Sequence, residues 1–194
     1  MQHFSIFYSL ICKQKITKML KKIFSVLVIA SLVITSCAKK SGTCFYSESK
    51  IIAPVAEIDS LRAILKDSGI TAIQNTAGFF YTINQPGSGT SVMNLCSNVT
   101  VTYKGTFFNG KAFDATRIDS TVTPPQPVAV TIPLGQLIVG WQKGIPLIKK
   151  DGDITLYLPP SLAYGSVPVT DRYGNIIVPA NSYLKFKIHL YDIQ

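Results

Sequence analysis

The sequence predicts an α+β domain, a twisted antiparallel β-sheet covered by one short helix, with an N-terminal helical extension. Three observations point there. From residue 79 onward, apolar and polar residues alternate with a period of two in most segments. Turns rich in glycine, proline and asparagine separate those segments. Two stretches differ: 53–69, ahead of it, which has helical spacing, and the region around Trp141, a short apolar run stopped by Pro146.

The elements follow in chain order. Pro54 suits a first helical turn and Gly69 the position after a last one, which predicts a helix over 54–68. Ile58, Leu61 and Leu65 share one face of it, and Glu57 and Asp59 near its start and Lys66 near its end match the helix dipole. A strand at 79–83 ends at the turn cluster Gln85-Pro86-Gly87-Ser88-Gly89. Val99, Val101 and Tyr103 alternate with Thr100, Thr102 and Lys104 until Gly105, and Asn109-Gly110 is a favoured hairpin pair. Val128, Val130 and Ile132 alternate again, as do Ile154, Leu156 and Leu158. The last strand is the clearest, with Leu184, Phe186, Ile188 and Leu190 on one side and Tyr183, Lys185, Lys187, His189 and Tyr191 on the other. Such alternation predicts one covered face and one wet face. The Trp141 segment is the candidate cover.

At 47% hydrophobic and 15% charged residues, the 194-residue chain suits a packed domain. Its formal charge is +9, but residues 1–36 hold five lysines and no acid, and the remainder carries +4 in scattered positions. Nucleic acid needs clustered charge and is not expected as a partner. Residues 19–37 have the order of a signal peptide: Lys21 and Lys22, the apolar stretch Ile23 to Ile34, then Thr35 and Ser36 before Cys37. The stretch falls short of the ~20 apolar residues of a membrane span. Ile34-Thr35-Ser36-Cys37 resembles the bacterial lipobox, which implies translation from Met19, lipidation at Cys37 and a membrane-anchored lipoprotein facing the periplasm. Residues 37–52 are then a tether. With Cys12 and Cys37 set aside, Cys44 and Cys96 remain, and exported thiols usually pair. A disulfide is expected; the alternative, a metal pair, lacks the nearby histidines that zinc favours.

Common catalytic constellations are missing. The histidines are His3, in the leader, and His189, on the outward side of the last strand. No Ser-His-Asp or Cys-His pair follows, and no histidine metal site; neither metal nor cofactor is expected. Asp114 is the one acid closely flanked by aromatics. Any catalysis must therefore work without a strong base.

Five motifs then line up: Val99-Thr100-Val101-Thr102-Tyr103-Lys104-Gly105, Asn109-Gly110-Lys111-Ala112-Phe113-Asp114, the run from Leu134 to Gly144 around Trp141, Leu158-Pro159 through Ala163-Tyr164-Gly165, and Val178-Pro179 through Phe186. In this order they resemble FKBP-type peptidyl-prolyl cis-trans isomerases over about residues 90–194, and the preceding helix and strand, 53–89, look like the lead-in of bacterial lipoproteins of that type. The resemblance implies a sheet wrapped around a short helix, with the site between them. It implies Asp114, Tyr164 and Trp141 as catalytic residues, Trp141 forming the floor. Tyr103, Phe113, Val130, Leu137, Ile138, Val178 and Phe186 would bind substrate, the Ile138 N–H and the Tyr164 hydroxyl holding its carbonyls. The implied activity is rotamase assistance to folding of exported, proline-containing polypeptides by a monomer. The alternative is a non-catalytic peptide-binding or chaperone module using the same groove. Taken alone, Phe113 and Phe186 suit a core, Tyr164 a turn, and Asp114 a surface acid. Two departures from the family, Val130 where an aromatic is usual and a longer segment from Ala115 to Gln126, predict a pocket that is wider or partly covered.

Overall fold

The computed structural model describes residues 44–89, 91 and 94–194. The leader and Cys37 lie outside the described residues. Helix α1 spans Val55–Asp67. Strands β1 (Ile73–Gln74) and β2 (Phe80–Gln85) follow, then β3 (Asn98–Thr106), β4 (Ala112–Ala115), β5 (Ile118–Asp119), β6 (Gln126–Pro127) and β7 (Val130–Pro133). Helix α2 is Val139–Gly144. Strands β8 (Gly152–Leu158), β9 (Val169–Thr170), β10 (Ile176–Val178) and β11 (Leu184–Ile193) complete the chain. The main sheet has the order β1-β2-β8-β11-β3-β4, and β7 pairs with the first half of β3. Every pairing in it is antiparallel.

The alternation in β11 sets both faces. Leu184, Phe186, Ile188 and Leu190 are buried and join Val99, Val101, Ile154, Leu156 and Leu158 in one core. Helix α2 covers that inner face. Its approach is close because Gly140 and Gly144 lack side chains: a Cβ on either would sit 2.5–2.6 Å from the methyls of Leu158 and Leu156. The glycines therefore decide how deeply Trp141, 4% exposed, sinks toward the sheet.

Three expectations need correction. First, the outer face is not uniformly wet. Leu61 and Leu65 of α1 pack on Phe80 of β2 and Tyr157 of β8 as a second apolar cluster. An amphipathic helix must bury its stripe somewhere, and Phe80 and Tyr157, register partners, supply a large apolar pair on that face. The α1 residue Glu57 also accepts the Ser161 N–H at 3.0 Å. Pro54 precedes the helix instead of entering it, its carbonyl accepting the Glu57 and Ile58 N–H groups.

Second, residues 44–52 are not a free tether. Cys44 and Cys96 form a disulfide with Cα atoms 5.5 Å apart. The Tyr46 ring lies over Gly135, where any Cβ would collide with it, and the Tyr46 hydroxyl accepts from Gln136 Nε2 at 2.9 Å. Third, the long segment after β4 turns toward the outer face. Thr116, buried, continues the pairing by exchanging hydrogen bonds with the backbone of Tyr103. Ala115, Thr116, Ile118 and Pro127 then wall a cavity above Lys104, Thr155 and Lys187, on the side of the sheet opposite Trp141.

Candidate active site

Between α2 and the inner face lies a 230 Å³ cavity lined by Tyr103, Asp114, Ile132, Gln136, Leu137, Ile138, Trp141, Tyr164 and Phe186. Each lining group arrives by a local rule. Tyr103 and Phe186 are inward residues of β3 and β11. Leu137 and Ile138 belong to the extended link between the 3-10 turn Leu134–Gln136 and α2. Gln142 pins that link, its Nε2 donating to the carbonyls of Leu137 (2.7 Å) and Gly135 (3.2 Å).

The floor is aromatic. Trp141 meets Tyr103 at 5.1 Å between ring centroids and Phe186 at 5.3 Å, both edge to face. Phe113 stands edge-on to Phe186 at 5.5 Å, one layer behind the floor. Such T-shaped pairs contribute about 0.5–1.5 kcal/mol each beyond area burial, and they fix the ring planes. The indole Nε1 is buried and has no hydrogen-bond partner among the described residues.

The polar rim is sparse. The Tyr103 hydroxyl donates to Asp114 Oδ2 at 2.7 Å. Burial, and then the Asp114 carboxylate as acceptor and as like charge, pushes the Tyr103 phenol well above the usual tyrosine range. Burial, followed by the Asp114 charge, raises Tyr164 as well. Both phenols therefore stay protonated, and able to donate, at any physiological pH. The Ile138 N–H has no hydrogen-bond partner among the described residues, while its carbonyl accepts from Trp141 and Gln142.

The sequence-derived set is largely brought together here: Tyr103, Asp114, Leu137, Ile138, Trp141, Tyr164 and Phe186 line one cavity. Two members do not. Val178 is 2% exposed and packs within the core. Val130 packs half-buried against the core beside its register partner Val101, and Ile132, two residues nearer the α2 link, takes the wall position. Nor does the 115–126 segment cover the cavity, since its lining residues belong to the outer face. Sequence reasoning missed Ile132 and Gln136. The period-two pattern through Val130 already pointed Ile132 inward; Gln136, an isolated polar residue in a turn, carried no such signal.

Comparison with known proteins adds to this geometry. Residues 90–191 match the family model of FKBP-type peptidyl-prolyl cis-trans isomerases. The chain is 37% identical over 121 residues to the FKBP-type peptidyl-prolyl cis-trans isomerase FkpA of Buchnera aphidicola (subspecies Schizaphis graminum), covering 62% of this chain and 43% of that one. It is 31% identical over 185 residues to a probable FKBP-type isomerase of Haemophilus influenzae, covering 93% of this chain and 64% of the relative. The chain thus spans less than half the length of the FkpA relative. Among solved structures, the crystal structure of FkpA from Escherichia coli superposes with a TM-score of 0.53 at 31% identity, over 72% of this chain and 58% of that one. With the sheet, the short helix and the aromatic cavity between them in place, the chain belongs to the family of FKBP-type peptidyl-prolyl cis-trans isomerases.

Proposed function

We propose that the chain is a peptidyl-prolyl cis-trans isomerase acting on exported polypeptides. The observation that carries this is the cavity itself: an aromatic floor, two protonated phenols and a backbone N–H with no partner among the described residues, and no strong base among its lining residues. Rotation about a peptide bond faces a barrier of ~18–20 kcal/mol because the C–N bond has double-bond character. At the twist that resonance is lost and the amide is less dipolar, so a dry aromatic site binds the twisted form better than the planar one. Trp141 would hold the proline ring. Ile138 N–H and Tyr164 Oη would hold the carbonyls on either side, leaving the bond between them to rotate. Asp114 acts by orienting Tyr103 and not by moving a proton. At 230 Å³ the cavity is smaller than the ~300–1,000 Å³ of drug-sized sites, which suits one ring and its adjoining amide.

Isomerisation of a peptide with a slow X-Pro bond tests this. The protein should accelerate it, and Trp141→Leu and Asp114→Ala should each lose most of the acceleration. No acceleration by the intact protein would sink the proposal. Binding of the peptide without acceleration would favour the alternative of a non-catalytic peptide-holding module, which the aliphatic wall at Ile132 supports.

We assign residues 90–194 to the isomerase unit, 53–89 to its extension and Cys37 to a lipid anchor on the periplasmic side of a bacterial membrane, with the protein monomeric. The signal-like order of residues 19–37 supports export, as does the Cys44–Cys96 disulfide, a bond typical of oxidising compartments. A Cys37→Ser variant should leave the membrane fraction; retention there would remove the anchor from the assignment.

A further inference from the structure

On the outer face of the sheet, opposite Trp141, two cavities of 390 and 210 Å³ share walls at Lys104 and Lys187. They form one trough along β11 from His189 to Lys185. Alternate residues of a strand share a face, so Lys185, Lys187 and His189 stand in a row with a repeat of about 7 Å, spanning about 13 Å in all. Lys187 is also the register partner of Lys104 on β3. Like charges directly opposed across a sheet destabilise it. Nothing nearby offsets them: among the described residues none of these lysines forms an ion pair, and the acid on the wall, Asp153, is engaged with His189 at 3.0 Å. At the Lys185 end, Thr106 is 8% exposed, and its buried Oγ1 has no hydrogen-bond partner among the described residues. The segment after β4 forms the raised wall through Ile118 and Pro127.

We propose that this trough docks an extended acidic stretch of polypeptide with Asp or Glu at alternate positions. Its repeat decides the class of ligand. Carboxylates at every second residue of an extended chain recur at the same ~7 Å as the lysines of β11. Single-stranded nucleic acid would need aromatic platforms for its bases, whereas the outward residues of the floor are Thr102, Lys104, Thr155 and Lys187. A bilayer is too flat to reach into a walled groove. The trough and the aromatic cavity lie on opposite faces, so this assignment stands or falls independently of isomerase activity.

The test is fluorescence polarisation of the full chain with a labelled peptide alternating glutamate and threonine. Binding is expected, with affinity falling as salt rises and weakening at least about fivefold in a Lys104→Ser/Lys187→Ser variant that keeps its circular dichroism spectrum. A Thr106→Val variant should weaken it further than a surface control such as Lys66→Ser. A peptide of equal composition with its glutamates in one block should bind more weakly. Equal binding of the block peptide, indifference to the lysine pair, or tighter binding of oligothymidine or of phosphatidylglycerol vesicles would each overturn the assignment.

Discussion

On the inner face, Trp141, Tyr103 and Phe186 meet edge to face at 5.1–5.3 Å; on the outer face of the same strands, Lys104 and Lys187 oppose each other in water. Phe186 and Lys187 are neighbours in the chain and differ only in which side of one strand they occupy. The inner face is packed against α2, and between them lies a cavity walled by rings. The outer face is covered by α1 at the Phe80–Tyr157 end and walled by the segment after β4 beside Lys104 and Lys187, and its floor there is polar. The period of two thus separates a dry site, where dipoles count strongly, from a wet one, where only clustered charge has reach.

The largest way to break this comparison is to truncate one residue on each side. Phe186→Ala should cost about 3–5 kcal/mol, since it opens a cavity beneath two aromatic neighbours, and isomerase activity should fall with it. Lys187→Ala, one residue on, should change stability by no more than about 0.5 kcal/mol. Urea denaturation of both variants gives the comparison directly. Similar losses would mean that the two faces are not energetically distinct.

Next in size is the disulfide, which ties residues 44–52 to the inner-face rim. Its loop of 52 residues corresponds to at most about 4 kcal/mol in the chain-entropy model. Reduction, or Cys44→Ser with Cys96→Ser, should lower stability by about 2–4 kcal/mol without altering Trp141 fluorescence, because Tyr46 touches Gly135 and Gln136 and not the indole. A shift in that fluorescence would show that the rim and the floor are coupled.

How much of this was legible in the sequence varied with the kind of signal. The pattern of β11 fixed both of its faces, because alternation over ten residues has one solution against a core. Trp141 between Gly140 and Gly144 was readable as a close helix-sheet contact. The amphipathic stripe of α1 was readable too, but a stripe does not name the surface it will cover. The segment 115–127 has neither period, so its direction was set by two-residue strands and by the hydrogen bonds of Thr116, which only the folded backbone reveals. Tyr46 was hidden for the same reason: one aromatic in a polar stretch has no periodicity, and its partner is 90 residues away. At the site, motif order located seven lining residues, while Val130 and Ile132, both inward on β7, could be told apart only by which stands nearer α2.

The smallest effect sharpens the boundary between the faces at Tyr103. Tyr103→Phe removes the hydrogen bond to Asp114 and should cost about 1 kcal/mol near neutral pH. The pH dependence distinguishes this loss from mere packing. The folded state holds the Tyr103 proton more tightly than the unfolded chain does, because burial and then Asp114 raise its pKa. Below the ordinary tyrosine value of about 10, both states are protonated and the contribution is fully present. As pH rises past about 10, the unfolded chain loses its proton first, fewer protons are bound in the unfolded state, and stability falls with pH. The wild type should therefore lose its advantage over Tyr103→Phe progressively above that point. Urea midpoints for the pair at pH 8 and at successive values above 10 would display the convergence. A stability difference that stays constant through that range would mean that the phenol is not held protonated by the folded site.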